Sequence, residues 1–350
     1  MSKGLEGVVA AQTAISHIDT ETSRLIYAGY NITDLVHNCC FEETVHLLHH
    51  LELPDEAELN LLKAQLTDER ELHAFTRQLL VTLAKTASPM SMLRTLVSAM
   101  SAYDPDGWVL STEPDANQRK AIRLIARLPQ LIGSYERLRN GKWPVEPHPD
   151  LGHAANLLYV MRGEVPDEQD ARIMDQCLTM HADHTMNAST FAARITAGTL
   201  SDIHSAMTSA IATLKGPLHG GANEQVFEMI LEIGDVDAVE SNVKRRLQRK
   251  EKIMGFGHRV YKKEDPRATI LRELAKDLGE SKGDTKWFDI SERIFEVVNT
   301  EKGLYPNVDF YAAAVYHYLG IPKHLFTPIF AASRIAGWTA HVNEQLADNR

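Results

Sequence analysis

The chain has 350 residues, 44% of them hydrophobic and 24% charged, and 37 Lys and Arg stand against 47 Asp and Glu for a formal charge of −10. That length exceeds one small core and suits two domains with a cleft between them, while the acidic balance argues against a nucleic-acid binder or an anionic-membrane protein. The longest stretch free of polar side chains, about Phe310 to Tyr316, falls far short of the roughly 20 apolar residues of a membrane span.

The opening segment, Met1 to Glu6, has no apolar core after its one Lys, so a secretory leader is not expected. Short strands are predicted within Gly7 to Ile18 and over Arg24 to Tyr27, around Asp19-Thr20-Glu21. Beyond them apolar residues recur at helical spacing, as in Leu79 and Leu83 or Leu93, Leu96, Val97 and Met100, so the fold is predicted to be all-α apart from those strands. Cys39, Cys40 and Cys177 make no Cys-x-x-Cys and no disulfide framework, which points to a reducing, cytoplasmic compartment. His46, His49 and His50, and the pair His181 and His184 on a predicted helix, have spacings that suit zinc. No further ligands accompany them, and they are read as core or hydrogen-bonding histidines.

Helix starts are signalled at Ser201-Asp202, Asp265-Pro266 and Thr327-Pro328, each an N-cap side chain with a suitable first-turn residue. The breaks at Lys215-Gly216-Pro217 and at Gly320 to Pro322 bracket a predicted smaller domain, 219–319. Residues 1–218 plus 320–350 then form a larger, discontinuous domain closed by a helix from Pro328 to about Asp348.

Lys244 to Lys263 holds nine Lys and Arg and one acid, Glu251, a local charge of +8 in an acidic chain. It runs into Met254-Gly255-Phe256-Gly257-His258, where two glycines let backbone approach a ligand, so a phosphate-bearing ligand is expected there. Val260 breaks a dinucleotide fingerprint, and no Walker motif occurs. Arg267, in the first turn of its helix, opposes the macrodipole and is expected to face a carboxylate together with the helix N-terminus. His219 precedes a helix whose dipole is expected to keep it neutral. Asp309 is placed to cap the helix that follows Asn307-Val308.

The order of these motifs is distinctive. Lys215-Gly-Pro-Leu-His219-Gly-Gly-Ala-Asn223-Glu, Gly255-Phe-Gly-His258-Arg-Val-Tyr-Lys-Lys-Glu-Asp-Pro-Arg267, Asn307-Val-Asp309 and Ser333-Arg334 resemble the citrate synthase family, its short bacterial and archaeal type above all. Leu5-Glu-Gly-Val-Val-Ala-Ala and His181-Ala-Asp-His184-Thr-Met-Asn187-Ala-Ser-Thr extend the resemblance over nearly the whole chain.

The resemblance implies an almost all-helical homodimer, an acyltransferase that joins acetyl-CoA to oxaloacetate, or propionyl-CoA in the 2-methylcitrate synthases. It implies catalytic roles for His219, His258 and Asp309, and oxaloacetate contacts from His184, Arg267, Arg334 and Asn187. Met254, Gly255, Phe256, Gly257 and Lys262 correspond to positions that hold CoA. Acetyl-CoA is then a co-substrate, and no permanently bound cofactor or metal, no nucleic acid and no membrane is implied.

Overall fold

The computed structural model describes residue 9 and residues 11–217, 219–257, 261 and 264–349. Near the N-terminus, Ser16–Asp19 (β1), Arg24–Tyr27 (β2) and Tyr30–Asn31 (β3) form an antiparallel meander, with Ser16 opposite Tyr27 and Asp19 opposite Arg24. The Asp19 carboxylate accepts the amides of Glu21 and Thr22 and closes the first turn. Among the described residues the first strand is Ser16–Asp19, which overlaps the end of the predicted range 7–18.

Every other long element among the described residues is helical. The first ten helices are α1 (Ile32–Asn38), α2 (Phe41–His50), α3 (Glu56–Asp68), α4 (Ala74–Leu83), α5 (Pro89–Met100), α6 (Pro114–Arg139), α7 (His153–Arg162), α8 (Glu168–His181), α9 (Ala188–Gly198) and α10 (Ile203–Leu214). Then come α11 (Ala222–Ile233), α12 (Val239–Gln248), α13 (Pro266–Lys282), α14 (Lys286–Lys302), α15 (Val308–Tyr318) and α16 (Phe326–Ala347). The all-α expectation is met.

Two of the predicted starts hold as capped N-termini, because Asp202 and Asp265 accept amides of their own first turns. The third does not. A 3-10 turn over Lys323–Leu325 runs straight into α16, so Thr327 already lies inside the helix and its hydroxyl bonds Glu224 Oε1 and the Gly220 carbonyl.

Helix α16 is buried from Phe326 to Val342 and packs against α2, α6, α8, α9 and α10. A helix buried on every side belongs inside a core, and each fully buried large apolar side chain such as Trp338 or Phe326 contributes about 1.5–3 kcal/mol. Gly337 is where α16 meets the turn after α8. A Cβ there would collide with the Ala182 carbonyl and the Asp183 carboxylate, and the Gly337 amide donates to Ala182 O at 3.1 Å. Elsewhere α13 lies along α15, α15 along α11 and α12 along α14. The buried side of α13, Ile270, Leu271, Ala275 and Leu278, makes the first of these contacts apolar.

Candidate active site

Helix α15 is capped by Asn307, whose Oδ1 accepts the Asp309 amide at 3.0 Å. Asp309 is therefore not the cap expected from sequence, and its carboxylate is left for other work. Asn307 also donates from Nδ2 to Gly257 O at 3.1 Å and from its backbone to Gly255 O at 2.8 Å. With a bridge between Phe256 and Pro306 and a bond from Gly257 N to Tyr305 O, the 254–257 loop is tied to the start of the Asp309 helix. Gly255 is required twice over. Its φ is +81°, a conformation that disfavours side chains, and a Cβ would lie 2.8 Å from Val226 Cγ2 and 2.9 Å from Phe310 Cβ.

Asp309, His219 and Met254 to Gly257 line one cavity of about 650 Å³. Asp309 is partly accessible from it, yet burial pushes its carboxyl up to about 7, with Asp265 adding to the rise and Arg267 and Arg334 opposing it. A carboxyl poised near neutral pH is suited to general base work.

His219 lies two residues before the cap of α11. Burial and then Arg334 push its imidazole down to about 4, so it is neutral as expected, although the causes differ from the helix dipole. Its Nε2 lies 2.8 Å from Ser189 Oγ, which also accepts from Trp338 Nε1 at 3.1 Å. Asn187 Oδ1 already accepts the amides of Ser189 and Thr190. Ser189 Oγ also lies 2.7 Å from Asn187 Oδ1, to which it donates, so the hydroxyl links the neutral His219 ring to the Asn187 cap and to Trp338.

Arg267 and Arg334 are almost fully buried, 2% and 1% exposed. Arg267 pairs with its own helix cap, Nε to Asp265 Oδ1 at 3.0 Å and Nη2 to Oδ2 at 2.8 Å. Burial works against its charge, but Asp265 outweighs burial and holds the guanidinium above its ordinary value. Sequence suggested an Arg against the dipole awaiting an anion; the structure supplies an internal carboxylate first. Arg334 donates from Nε to His181 O at 2.7 Å and lies over the Phe330 ring, and burial lowers its pKa to about 10.

Helix α8 ends at His181, so His184 sits in the following turn and the pair does not share a helix face. Among the described residues no group of three His, Cys, Asp or Glu is placed to hold a metal. The His184 ring meets Tyr261 edge to face, centroids 5.9 Å apart, and Tyr261 in turn feels the charges of Arg267 and Asp265. Asn187 caps α9, and its Nδ2 donates to Thr190 Oγ1 at 3.0 Å, so its amide faces its own turn.

His258 and Lys262, like the Leu5-Glu-Gly-Val motif up to Val8, lie outside the described residues. Of the basic stretch, Lys244 pairs with Glu240, Arg246 with Glu232 and Arg249 with Glu251, while Lys252 lines the cavity. The local charge is therefore more neutralised than composition suggested.

A family model described as "Citrate synthase, C-terminal domain" matches residues 4–350. The chain belongs to the citrate synthase family. "Citrate synthase 2" of Bacillus subtilis (strain 168) is 49% identical over 354 residues, covering 100% of this chain and 93% of that protein. "Citrate/2-methylcitrate synthase" of the same organism is 43% identical over 350 residues, covering 100% and 94%. Among solved structures, a ternary complex of carboxymethyl coenzyme A and oxaloacetate with citrate synthase from Thermoplasma acidophilum aligns with a TM-score of 0.93 at 30% identity, covering 99% of this chain and 93% of that one.

Within this family frame, sequence reasoning missed Ser189 as the partner of His219 and Asp265 as the partner of Arg267. It missed Asn307 as the tie between the 254–257 loop and the base helix. Asp265-Pro266-Arg267 and Asn307-Val-Asp309 carry a readable capping signal; the contact from Ser189 to His219, thirty residues apart, carries none.

Proposed function

We propose that this protein is a citrate synthase, forming citrate and CoA from acetyl-CoA, oxaloacetate and water. The observation that carries the reading is a neutral histidine and a carboxyl poised near pH 7 on one cavity beside the glycine-bearing loop. Asp309 takes a proton from the acetyl methyl group, while neutral His219 donates a hydrogen bond to the thioester oxygen as the enol forms. The enol carbon then attacks the oxaloacetate ketone, whose oxygen takes a proton from His258. Water cleaves the resulting citryl thioester, giving citrate and the free thiol. General acid and base groups of this kind each supply about 10²–10⁴-fold.

Arg267, Arg334 and His184 are assigned to oxaloacetate, with Asn187 ordering the turn that bears His184. The backbone from Met254 to Gly257, together with Lys262, is assigned to CoA. The burial of both arginines supports the assignment, because carboxylates are held most strongly by desolvated guanidinium groups. The same reading takes 219–319 as a smaller domain closing on 1–218 plus 320–350, in a cytoplasmic homodimer with no resident cofactor.

A relative named for both citrate and 2-methylcitrate makes propionyl-CoA the second candidate. One methylene changes binding by about 1–3 kcal/mol, so the test is kcat/KM for the two acyl-CoAs, read as oxaloacetate-dependent thiol release. A higher value for acetyl-CoA is expected. A clear propionyl-CoA preference makes the protein a 2-methylcitrate synthase, and absence of release with either overturns the reading.

A further inference from the structure

We propose that Asp183, held by His341, is a positioning residue that sets His184 for oxaloacetate; this rests on the functional reading above. Asp183 lies in the turn between α8 and α9 and is fully buried. Tyr27 holds its backbone at both ends, since the phenol oxygen accepts the Asp183 amide at 3.0 Å and donates to the Asp183 carbonyl at 2.8 Å. On the carboxylate, Oδ2 accepts the Ser16 hydroxyl and, at 2.9 Å, the Thr185 amide.

That last bond spans His184. Thr185 has φ +50°, a left-handed conformation that is unfavourable for a β-branched residue and persists only where its surroundings impose it. One carboxylate therefore imposes the backbone that follows His184, while Tyr27 fixes the backbone that precedes it. The backbone of His184 is clamped from both sides, which fixes the point from which its imidazole reaches the Tyr261 ring.

An ionised carboxylate this deep needs a partner. His341 Nε2 stands 3.2 Å from Oδ1. Arg194 Nη1 donates to the other ring nitrogen, Nδ1, at 3.3 Å, which places the imidazole proton on Nε2, toward Asp183. Arg194 is paired in turn with Glu344. Burial alone would push the Asp183 carboxyl up, but His341, Arg334 and Ser16 outweigh it and keep the group ionised. Arg334 Nε on His181 O and the Gly337 amide on Ala182 O complete the grip. Three successive turns of α16 thus hold the one short segment that bears His184.

The test compares Asp183→Asn, His341→Leu and His341→Gln in the full chain, with KM for each substrate, kcat, the circular dichroism melt and oxaloacetate titration calorimetry. Loss of the hold on the turn that bears His184 is expected to raise the oxaloacetate KM and Kd about 10-fold or more in Asp183→Asn and His341→Leu, with the acetyl-CoA KM within about twofold. His341→Gln, whose amide nitrogen reaches the place of Nε2, is expected to restore the wild-type values. A folded Asp183→Asn with unchanged oxaloacetate Kd, or with both KM values raised alike, overturns the proposal. Should Asp183→Asn fail to fold, the His341 pair decides, and equal behaviour of Leu and Gln overturns it. Calorimetry separates the two readings: a wild-type chain that binds oxaloacetate without releasing thiol overturns the reaction alone, and one that binds none overturns both.

Discussion

The Ser189 hydroxyl stands 2.8 Å from His219 Nε2 and 2.7 Å from Asn187 Oδ1 and so joins that ring to the cap of α9. A neutral imidazole donates from one nitrogen only, so under the proposed function the placement of this ring decides whether it reaches the thioester. Replacing Ser189 by Ala removes that link and leaves the buried Trp338 Nε1 without its acceptor. We expect kcat to fall on the order of 10-fold, less than the roughly 10²–10⁴-fold that loss of a general acid group itself costs, and stability to fall by about 1–3 kcal/mol. Turnover and a denaturant melt of the same variant check both.

Asp309 must lose its proton to act as a base. Because burial pushes its carboxyl up to about 7, kcat/KM for acetyl-CoA is expected to rise as pH climbs through that value and level off above it. Asp309→Asn is expected to lower kcat by about 10²–10⁴-fold. A pH–rate profile that is flat between pH 6 and 8 would falsify the assignment.

The same carboxyl costs the fold stability. An acid whose folded pKa lies above its unfolded value of about 4 favours the folded state fully only below that value, and the contribution is lost as pH rises toward 7. Asp309→Asn has no charge to bury. The variant is expected to melt above the wild type at pH 8, with the difference shrinking as pH falls toward 4.

Gly255 and Gly257 both have positive φ, but only Gly255 is crowded by Val226 and Phe310; a Cβ at 257 meets nothing within 4 Å among the described residues. Left-handed backbone costs a residue with a Cβ roughly 1–2 kcal/mol. Gly257→Ala is expected to show that cost alone in a thermal melt. Gly255→Ala must also move the loop, and its acetyl-CoA KM is expected to rise more than that of Gly257→Ala.

Arg267→Lys keeps the charge and loses the two-pronged contact with Asp265. The oxaloacetate KM is expected to rise with a smaller change in the acetyl-CoA KM. An unchanged oxaloacetate KM in a folded variant would remove Arg267 from that subsite.

Local chemistry was legible in the sequence and partnership across it was not. Asp265-Pro266 announces a helix start because cap and first-turn proline act within one turn, and the structure keeps it. Thr327-Pro328 carries the same signal and loses to the 3-10 turn before it, which continues the helix through Leu325. At Asn307-Val-Asp309 two residues compete for one cap, and the sequence does not say that Asn307 wins. The spacing of His181 and His184 promised a shared face, which the end of α8 removes. Nothing in the chain order announces that Asp183 meets Ser16 and His341, because that contact depends on the packing of β1 and α16 around the turn.

The bridge between Phe256 and Pro306, reinforced by Asn307, has a mechanical consequence. Loop and base helix are fastened at their roots, so a displacement of α15 carries residues 254–257 with it. Under the proposed function, capture of the carrier at the loop and delivery of the Asp309 carboxylate to the methyl group would then be one stroke.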